Sequence, residues 1–365
     1  MMHFEIKEEY DCVRFGILKI NGKSIRTPCF WIGIEPFSKP NILDYMHLKT
    51  ILVNGYKILD KHVNIGKIHD YFKADAIMMD SGGFQLMKKN IDVSADKVLK
   101  IYRETKPDIG VVLDYPFNPQ NPSDRFERWK KTIENTKIMF ANSDGVVLMP
   151  VVHGYTTEEL KNACREVKEI TDPKIVGIGS LVPLVKTVNM KKFMEISKTE
   201  PFKFLIRAIS TVRNEFPESF LHVFGVGSST TMHLMFSLGV DSIDSMSWRL
   251  KASYGAIQLP AIGDRFITAK NGKRKELKEF SLLKNCTCPV CKNKSIEERK
   301  RLLDNAIANT FYNRAIHNAF VYVKEYEEFM KSLENGNVKD FLEMRMKENK
   351  YYRKIENYKQ SDKNP

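Results

Sequence analysis

The sequence lacks any apolar run of about 18 residues or more, the length that suggests a membrane-spanning helix. It also lacks an N-terminal segment that resembles a secretory signal. Of its six cysteines, Cys12, Cys29 and Cys164 stand alone along the chain, which disfavours a disulfide framework. We therefore expect a cytoplasmic protein with no membrane partner and no disulfide bonds.

Acidic residues are also in short supply, because 45 Asp and Glu accompany 58 Lys and Arg, which gives a formal net charge of +13. Such an excess attracts polyanions, nucleic acid in particular. Lysines on solvated faces would give the same count, so composition leaves both interpretations open. A hydrophobic content of 42% and a length of 365 residues are typical of one large barrel-type domain or two ordinary domains.

The other three cysteines lie close together near the C-terminal end. Cys286, Cys288 and Cys291 form the segment Cys-Thr-Cys-Pro-Val-Cys, and 25 residues separate the last of them from His317. Three thiolates and one imidazole are the ligand set of a closed, tetrahedral zinc site. The alternative is three free thiols, which seldom cluster this tightly beside a Pro-Val turn. The sequence therefore predicts one structural zinc ion per chain, with the chemistry in another part of the molecule.

Short apolar, β-branched runs recur along the chain and predict strands. The eight runs cover residues 27–33, 50–54, 76–80, 110–114, 145–153, 174–179, 221–224 and 239–244. Amphipathic stretches separate several of them, and Thr156-Thr-Glu-Glu159 is a capping box that predicts the start of a helix. Eight apolar strands that alternate with helices predict an α/β fold, a (β/α)8 TIM barrel rather than an open doubly wound sheet.

Composition divides the chain into four expected segments. Residues 1–26 predict a small N-terminal β element, and residues 27–265 predict the catalytic barrel. Residues 266–347 predict a zinc-binding segment with C-terminal helices, and residues 348–365 a polar tail.

Acidic and small residues accumulate where the predicted strands end, which is where (β/α)8 barrels carry their functional groups. The third strand ends in Asp80-Ser-Gly-Gly-Phe-Gln85, the fourth in Asp114-Tyr-Pro116, and the eighth carries Asp241 and Asp244. Converging carboxylates suit nucleophilic and acid–base chemistry or metal binding. The alternative is that the Asp-Ser-Gly segment at residue 80 is an ordinary turn between a strand and a helix. Because His153 is the only histidine at a predicted strand end, metal-free carboxylate chemistry is favoured.

Six segments together carry a family resemblance. They are Asp80-Ser-Gly-Gly-Phe-Gln85, Val152-His-Gly154, Gly177-Ile-Gly-Ser-Leu181, Phe224-Gly-Val-Gly227, Gly239-Val-Asp-Ser-Ile-Asp-Ser245 and the Cys-x-Cys-x-x-Cys…His-Asn ending. From about residue 30 to about residue 329, this order resembles the tRNA-guanine transglycosylase superfamily of queuine- and archaeosine-type base-exchange enzymes. The resemblance implies a pentosyltransferase that exchanges a guanine base in nucleic acid, tRNA or DNA, for a 7-deazaguanine such as preQ0.

The resemblance also implies roles for individual residues. Asp244 would be the nucleophile that forms a covalent aspartyl-glycosyl intermediate, and Asp80 the general acid and base. Asp114 would read the guanine edge, and the rings of Phe84 and Phe224 would enclose the flipped base. The further base-binding residues that it implies are Ser81, Gly82, Gly83, His153, Gly179, Ser180, Leu181 and Gly225.

Two departures from the family pattern bear on the substrates. His153-Gly154-Tyr155 replaces the family's usual glutamine and paired glycines, so the incoming base can differ in its substituent. The stretch Ser245-Met-Ser-Trp-Arg249 and the residues that follow resemble the superfamily branch that modifies DNA, and the chain ends before the RNA-binding extension of the long archaeal enzymes. The second stretch and the position of the chain end move the expected polymer toward DNA.

A basic turn follows the predicted barrel. Its residues are Lys270, Lys273, Arg274 and Lys275. They predict contacts with nucleic-acid phosphates, with a solvated lysine loop as the alternative.

Two other functions and the assembly state remain open. The functions are a catalytically silent binding subunit of the same fold and a metal-dependent barrel hydrolase. The presence of Asp80, Asp114 and Asp244 argues against the first, and the shortage of strand-end histidines against the second. A homodimer and accessory subunits are both compatible with the sequence.

Overall fold

The structure is a computed structural model that describes residues 2–61, 63–89, 91–118, 121–185, 201–269 and 274–347. The chain divides into two compact units. The barrel unit holds the described residues of Met1–Pro36, Leu48–Val226 and Phe236–Asp244. The C-terminal unit holds the described residues of Phe37–His47, Gly227–Met235 and Ser245–Pro365.

The barrel unit begins with a three-stranded antiparallel sheet. Its strands are β1 (Met2–Tyr10), β2 (Val13–Ile20) and β3 (Lys23–Thr27), hydrogen-bonded in that order. Leu18 and Ile20 of β2 are fully buried and pack with Trp31, Ile175 and other residues near the starts of later strands. The N-terminal sheet thus packs on the apolar interior where the barrel strands begin.

Nine short strands follow and form one sheet. They are β4 (Cys29–Ile34), β5 (Leu48–Asn54), β6 (Ala74–Asp80), β7 (Ile109–Val111), β8 (Leu148–Met149), β9 (Val151–Val152), β10 (Ile175–Ile178), β11 (Phe220–Val223) and β12 (Ser242–Ser245). Their hydrogen-bonding order is β8-β7-β6-β5-β4-β12-β11-β10-β9, and the pairs with a resolved register are parallel.

The two ends of this order are halves of one strand. Pro150 separates β8 from β9, and its ring nitrogen has no hydrogen to donate to a ladder. The Met149 carbonyl accepts from Val112 on one side, and the Pro150 carbonyl accepts from Gly177 on the other. The sheet therefore closes as an eight-stranded barrel, and the predicted (β/α)8 fold is confirmed.

Helices alternate with the strands of the barrel unit. In the described residues they are α1 (Tyr56–Lys61), α2 (Ile68–Tyr71), α3 (Gly83–Lys89), α4 (Ala95–Thr105), α5 (Arg125–Ala141), α6 (Thr157–Ile170), α7 (Val182–Val185) and α8 (Pro201–Glu215), with a short 3-10 turn at Pro122–Asp124. Helix α6 starts where the capping box predicted, because the Thr156 side chain accepts a hydrogen bond from the Glu159 amide at 3.0 Å. The Glu159 carboxylate accepts from the Tyr155 amide instead of closing the box on Thr156.

The C-terminal unit is mainly helical. After a 3-10 turn at Ile42–Asp44, its elements are α9 (Met232–Phe236), α10 (Ser247–Ser253), the hairpin β13 (Ile257–Leu259) and β14 (Gly263–Arg265), α11 (Phe280–Lys284), α12 (Ile296–Leu303), α13 (Phe311–Glu334) and α14 (Val338–Met346). Among the described helices, none combines the length and the apolar character that crossing a bilayer requires.

Candidate active site

Three carboxylates lie at the ends of strands in the barrel unit. Asp80 is the last residue of β6, Asp114 follows β7 by three positions, and Asp244 lies in β12. Asp114 and Asp244 are each only 7% exposed. The structure therefore brings together the three aspartates that the sequence singled out.

The surroundings of Asp80 change its acidity. Burial, together with the neighbouring charges of Asp114 and Asp244, raises the pKa of the Asp80 carboxyl to about 7. Hydrogen bonds from the backbone of Gly82 and Ser81 offset part of this rise. A carboxyl with a pKa near 7 can both donate and accept a proton at neutral pH, as acid–base catalysis requires.

Asp114 is held from both sides. The Ser81 hydroxyl donates to its Oδ1 at 3.4 Å, and Nε2 of His153 lies 3.1 Å from its Oδ2. A Cβ atom at Gly83 would come within 2.5 Å of Asp114 Oδ1 and 2.3 Å of the Asp114 carbonyl oxygen. Only a glycine therefore lets the start of α3 approach this carboxylate.

His153 lies beneath Asp114 with 1% of its surface exposed. The Phe117 amide donates to the Ser180 hydroxyl at 2.9 Å, which leaves that hydroxyl free to donate to His153 Nδ1, also at 2.9 Å. In this arrangement the proton of a neutral imidazole is on Nε2, which faces Asp114 without a well-aligned partner among the described residues. Gly179 makes room for the ring, since a Cβ there would be 2.3 Å from His153 Cε1.

Asp244 is held through one oxygen. The Gly225 amide donates to Asp244 Oδ1 at 2.6 Å, and His222 Nε2 lies 3.3 Å from the same atom. His222 was not among the predicted site residues, because only histidines at predicted strand ends were considered. The alternation of Phe220 and His222 in β11, continued by Phe224 just after it, could have identified it, since alternate residues of a barrel strand point inward.

The two predicted stacking aromatics differ in exposure. Phe84, in the first turn of α3, is 55% exposed. Phe224 is half-buried just after β11, with its ring edge-on to His222 at a centroid distance of 4.4 Å. Leu181 is fully buried, and Ser180 has a left-handed backbone with φ of 64°. Their roles toward a base remain predictions.

Asp241 does not join the carboxylate cluster, which corrects one expectation. It is fully buried, and its Oδ2 accepts hydrogen bonds from the Arg213 guanidinium at 2.5 Å and from the Leu221 amide at 2.8 Å. Arg14 lies 3.4 Å from the same oxygen. Asp241 therefore pairs through Oδ2 with Arg213 and with the buried Arg14.

The predicted metal ligands converge within the C-terminal unit. The ligand atoms of Cys286, Cys288, Cys291 and His317 all lie within 4.8 Å of one another. His317 Nδ1 is 3.4 to 3.7 Å from the three sulfurs. These distances match the separation of roughly 3.5 Å between nitrogen and sulfur ligands of a tetrahedral zinc ion.

The tautomer of His317 also suits a metal ligand. Its Nε2 lies 2.9 Å from the Gln258 carbonyl oxygen, which can only accept, so the ring proton is on Nε2. The lone pair of Nδ1 therefore faces the three sulfurs, and a backbone acceptor fixes the ring, as is usual for metal-binding histidines. This cluster can hold a metal ion.

Half of the predicted basic cluster can be located. Lys270 and Lys273 lie outside the described residues, whereas Arg274 and Lys275 are exposed in the C-terminal unit. The Arg274 guanidinium lies over the Phe266 ring, 4.8 Å from its centroid. Their contact with nucleic acid remains a prediction.

Comparison with known proteins decides the family. A family model described as queuine tRNA-ribosyltransferase matches residues 11–351. The chain belongs to this family. The resemblance inferred from the sequence motifs is thereby confirmed.

The chain is also similar to curated proteins named tRNA-guanine(15) transglycosylase. Those of Pyrococcus abyssi and Pyrococcus furiosus are 28% and 29% identical over 349 and 361 residues, in both cases covering 92% of this chain and 55% of the relative. The Saccharolobus solfataricus protein is 25% identical over 359 residues, covering 94% of this chain and 66% of the relative. The chain spans about half the length of the Pyrococcus relatives.

Proposed function

We propose that this protein is a transglycosylase that exchanges a guanine base in tRNA for a 7-deazaguanine such as preQ0. The observation that carries the proposal is the cluster of Asp80, Asp114 and Asp244 at the strand ends of the barrel unit, with the pKa of Asp80 raised to about 7. Membership of the queuine tRNA-ribosyltransferase family supports base exchange as the reaction of this cluster.

The chemistry we propose has two steps. In the first, a carboxylate oxygen of Asp244 attacks the ribose C1′, and the C1′–N9 bond breaks with its electron pair passing to guanine. Protonated Asp80 donates its proton to the departing base. In the second, N9 of the incoming base attacks C1′ and passes its proton to Asp80, while Asp244 leaves as a carboxylate. Two inversions restore the original configuration at C1′.

Recognition of the base falls to the groups around Asp114. Its carboxylate can accept from the ring N–H and amino group that guanine and 7-deazaguanines share. The contacts from Ser81 and His153 fix its orientation, which favours one edge of the base over others. Phe84 and Phe224 supply flat apolar faces for stacking.

We choose tRNA as the polymer because the family description and the names of the three relatives described above include tRNA. The net charge of +13 suits any polyanion, so DNA, which the sequence favoured, is the second polymer to be assayed. A protein that modifies tRNA is expected in the cytoplasm.

The ion held by the cysteine cluster is, in this proposal, zinc, with one ion per chain. Three sulfurs and one nitrogen at tetrahedral spacing match the ligand preference of zinc and leave no open position for a substrate. When bound, the ion would stabilise the C-terminal unit, since it ties α13 to the segment that carries the cysteines.

The test is incorporation of radiolabelled guanine into tRNA and into duplex DNA, using the full chain. We expect incorporation into tRNA by the wild type. Asp96→Asn, an amide change at an exposed position of α4, is the control and should match the wild type. A folded wild type that incorporates guanine into neither polymer would contradict the proposal, and incorporation into DNA alone would move the polymer assignment to DNA.

A further inference from the structure

A chain of buried polar side chains runs through the barrel interior to Asp244. The indole Nε1 of Trp31 donates to the Ser242 hydroxyl at 2.7 Å, and that hydroxyl lies 2.8 Å from His222 Nδ1. His222 Nε2 lies 3.3 Å from Asp244 Oδ1. Trp31, Ser242 and His222 are fully buried, so water does not compete for these contacts.

The hydrogen bonds along this series of side chains all donate in the direction of Asp244. An indole nitrogen can only donate, so the Ser242 oxygen accepts from Trp31 and keeps its own proton to give. The thiol of Cys29 also contacts Ser242, but burial raises the pKa of that thiol to about 12, and a neutral sulfur is a weak acceptor. The Ser242 proton is therefore directed to His222 Nδ1.

This direction fixes the tautomer of His222. With Nδ1 accepting, a neutral imidazole carries its proton on Nε2 and presents a donor to Asp244 Oδ1. The opposite tautomer would turn a lone pair toward the carboxylate, which is unfavourable in a buried site. The edge of Phe224 packs against the ring and limits its rotation.

The two oxygens of Asp244 are consequently different. Oδ1 receives the Gly225 amide at 2.6 Å and His222 Nε2 at 3.3 Å. Among the residues that the structure describes, no hydrogen bond is made to Oδ2. The arrangement anchors one oxygen and leaves the other free to react.

We propose that His222 is a positioning residue that, held by Ser242 and Trp31, orients Asp244 so that Oδ2 attacks the sugar. The inference rests on the proposed function, because it concerns the nucleophile of that reaction. The new bond joins Oδ2 to C1′, while the C1′–N9 bond breaks and its electron pair passes to the departing base. Oδ1 then becomes the carbonyl oxygen of the glycosyl ester. Both donors stay on Oδ1 throughout the reaction.

The test compares kcat and KM for guanine exchange in four full-length variants. His222→Leu removes the donor, whereas His222→Gln keeps an N–H in a similar place. Ser242→Ala removes the group that fixes the tautomer, and the fourth variant combines His222→Leu with Ser242→Ala. Misplacement of a reacting group by about 1 Å can cost roughly 100-fold in rate, so His222→Leu should lower kcat by about 10- to 100-fold.

The pattern across the variants separates positioning from structure. KM for guanine should change less than about threefold, because base recognition does not use His222. His222→Gln should recover most of the lost kcat, and the double variant should be no slower than His222→Leu, since both changes act through one path. Melting temperatures would identify a variant that is merely unstable. Should His222→Leu not fold, Ser242→Ala alone must still lower kcat for the proposal to hold.

Two results would overturn the inference. One is an unchanged kcat in folded His222→Leu when the wild type is active. That result would remove the positioning role of His222 without contradicting the role of Asp244. The other is loss of kcat that His222→Gln does not restore, which would assign His222 to packing. An inactive wild type would instead remove the proposed function, and this inference with it.

Discussion

The raised pKa of Asp80 has a consequence for folding that can be measured apart from activity. Its pKa is about 7 in the folded protein and 3.8 in its ordinary state. A carboxyl whose pKa rises on folding binds its proton more tightly in the folded chain than in the unfolded chain. The folded state therefore loses stability as pH rises from about 4 to about 7, and the full penalty remains at higher pH.

The size of this penalty follows from the difference in pKa. A difference of about 3 corresponds to roughly 4 kcal/mol, at about 1.4 kcal/mol for each pKa unit. Because the charge repulsion is shared with Asp114 and Asp244, we expect Asp80→Asn to recover about 1 to 4 kcal/mol at pH 8. At pH 4 both side chains are neutral, so the difference in stability between variant and wild type should be small.

Denaturant unfolding at pH 4, 6 and 8 measures this difference, with tryptophan fluorescence as the signal. Subtracting the wild type from the variant cancels the titration of groups that do not interact with Asp80. Asp96→Asn, at an exposed position, should show no such dependence on pH. The reasoning is refuted if Asp80→Asn is less stable than the wild type at pH 8, or if its effect is the same at all three pH values.

Two further predictions concern the C-terminal unit. Metal analysis should find one zinc per chain in the wild type. The Cys288→Ser variant should lose the zinc, and its melting temperature should fall by about 5 °C or more. Wild-type protein that is zinc-free yet fully stable would contradict this. Changing Lys273, Arg274 and Lys275 together to Ala should flatten the dependence of nucleic-acid affinity on salt, by up to about 0.9 in slope for each lost phosphate contact. An unchanged slope would place the polymer on another surface.

Much of the fold follows from local pattern. Buried parallel strands are continuous apolar runs, so Ala76-Ile-Met-Met-Asp80 and its counterparts were visible in the sequence. The division at Pro150 was not expected, because residues 146 to 152 form one apolar run, and the pairing of its two halves with different strands reveals the division. The cysteine cluster was predictable because its ligand spacing is itself a local pattern.

The site was predictable only in part, because contacts across the barrel are not local. The sequence identified Asp80, Asp114 and Asp244 at strand ends, and the structure brings them together. It could not separate Asp241 from them, since the two arginines that pair with it come from distant segments. His222 was missed because it lies within β11 and not at its end, and its hydrogen-bond partners Ser242 and Asp244 belong to β12, which adjoins β11 only in the folded sheet.

The central claim is that Asp244 forms a covalent bond to the sugar, and trapping that bond tests it most directly. The wild type is incubated with tRNA in the absence of an incoming base, denatured and resolved by electrophoresis. We expect a protein–RNA adduct that disappears when guanine is added before denaturation, and no adduct with Asp244→Asn, whose amide is nearly isosteric but a poor nucleophile. An adduct formed equally by folded Asp244→Asn, or full guanine exchange by that variant, would contradict the assignment.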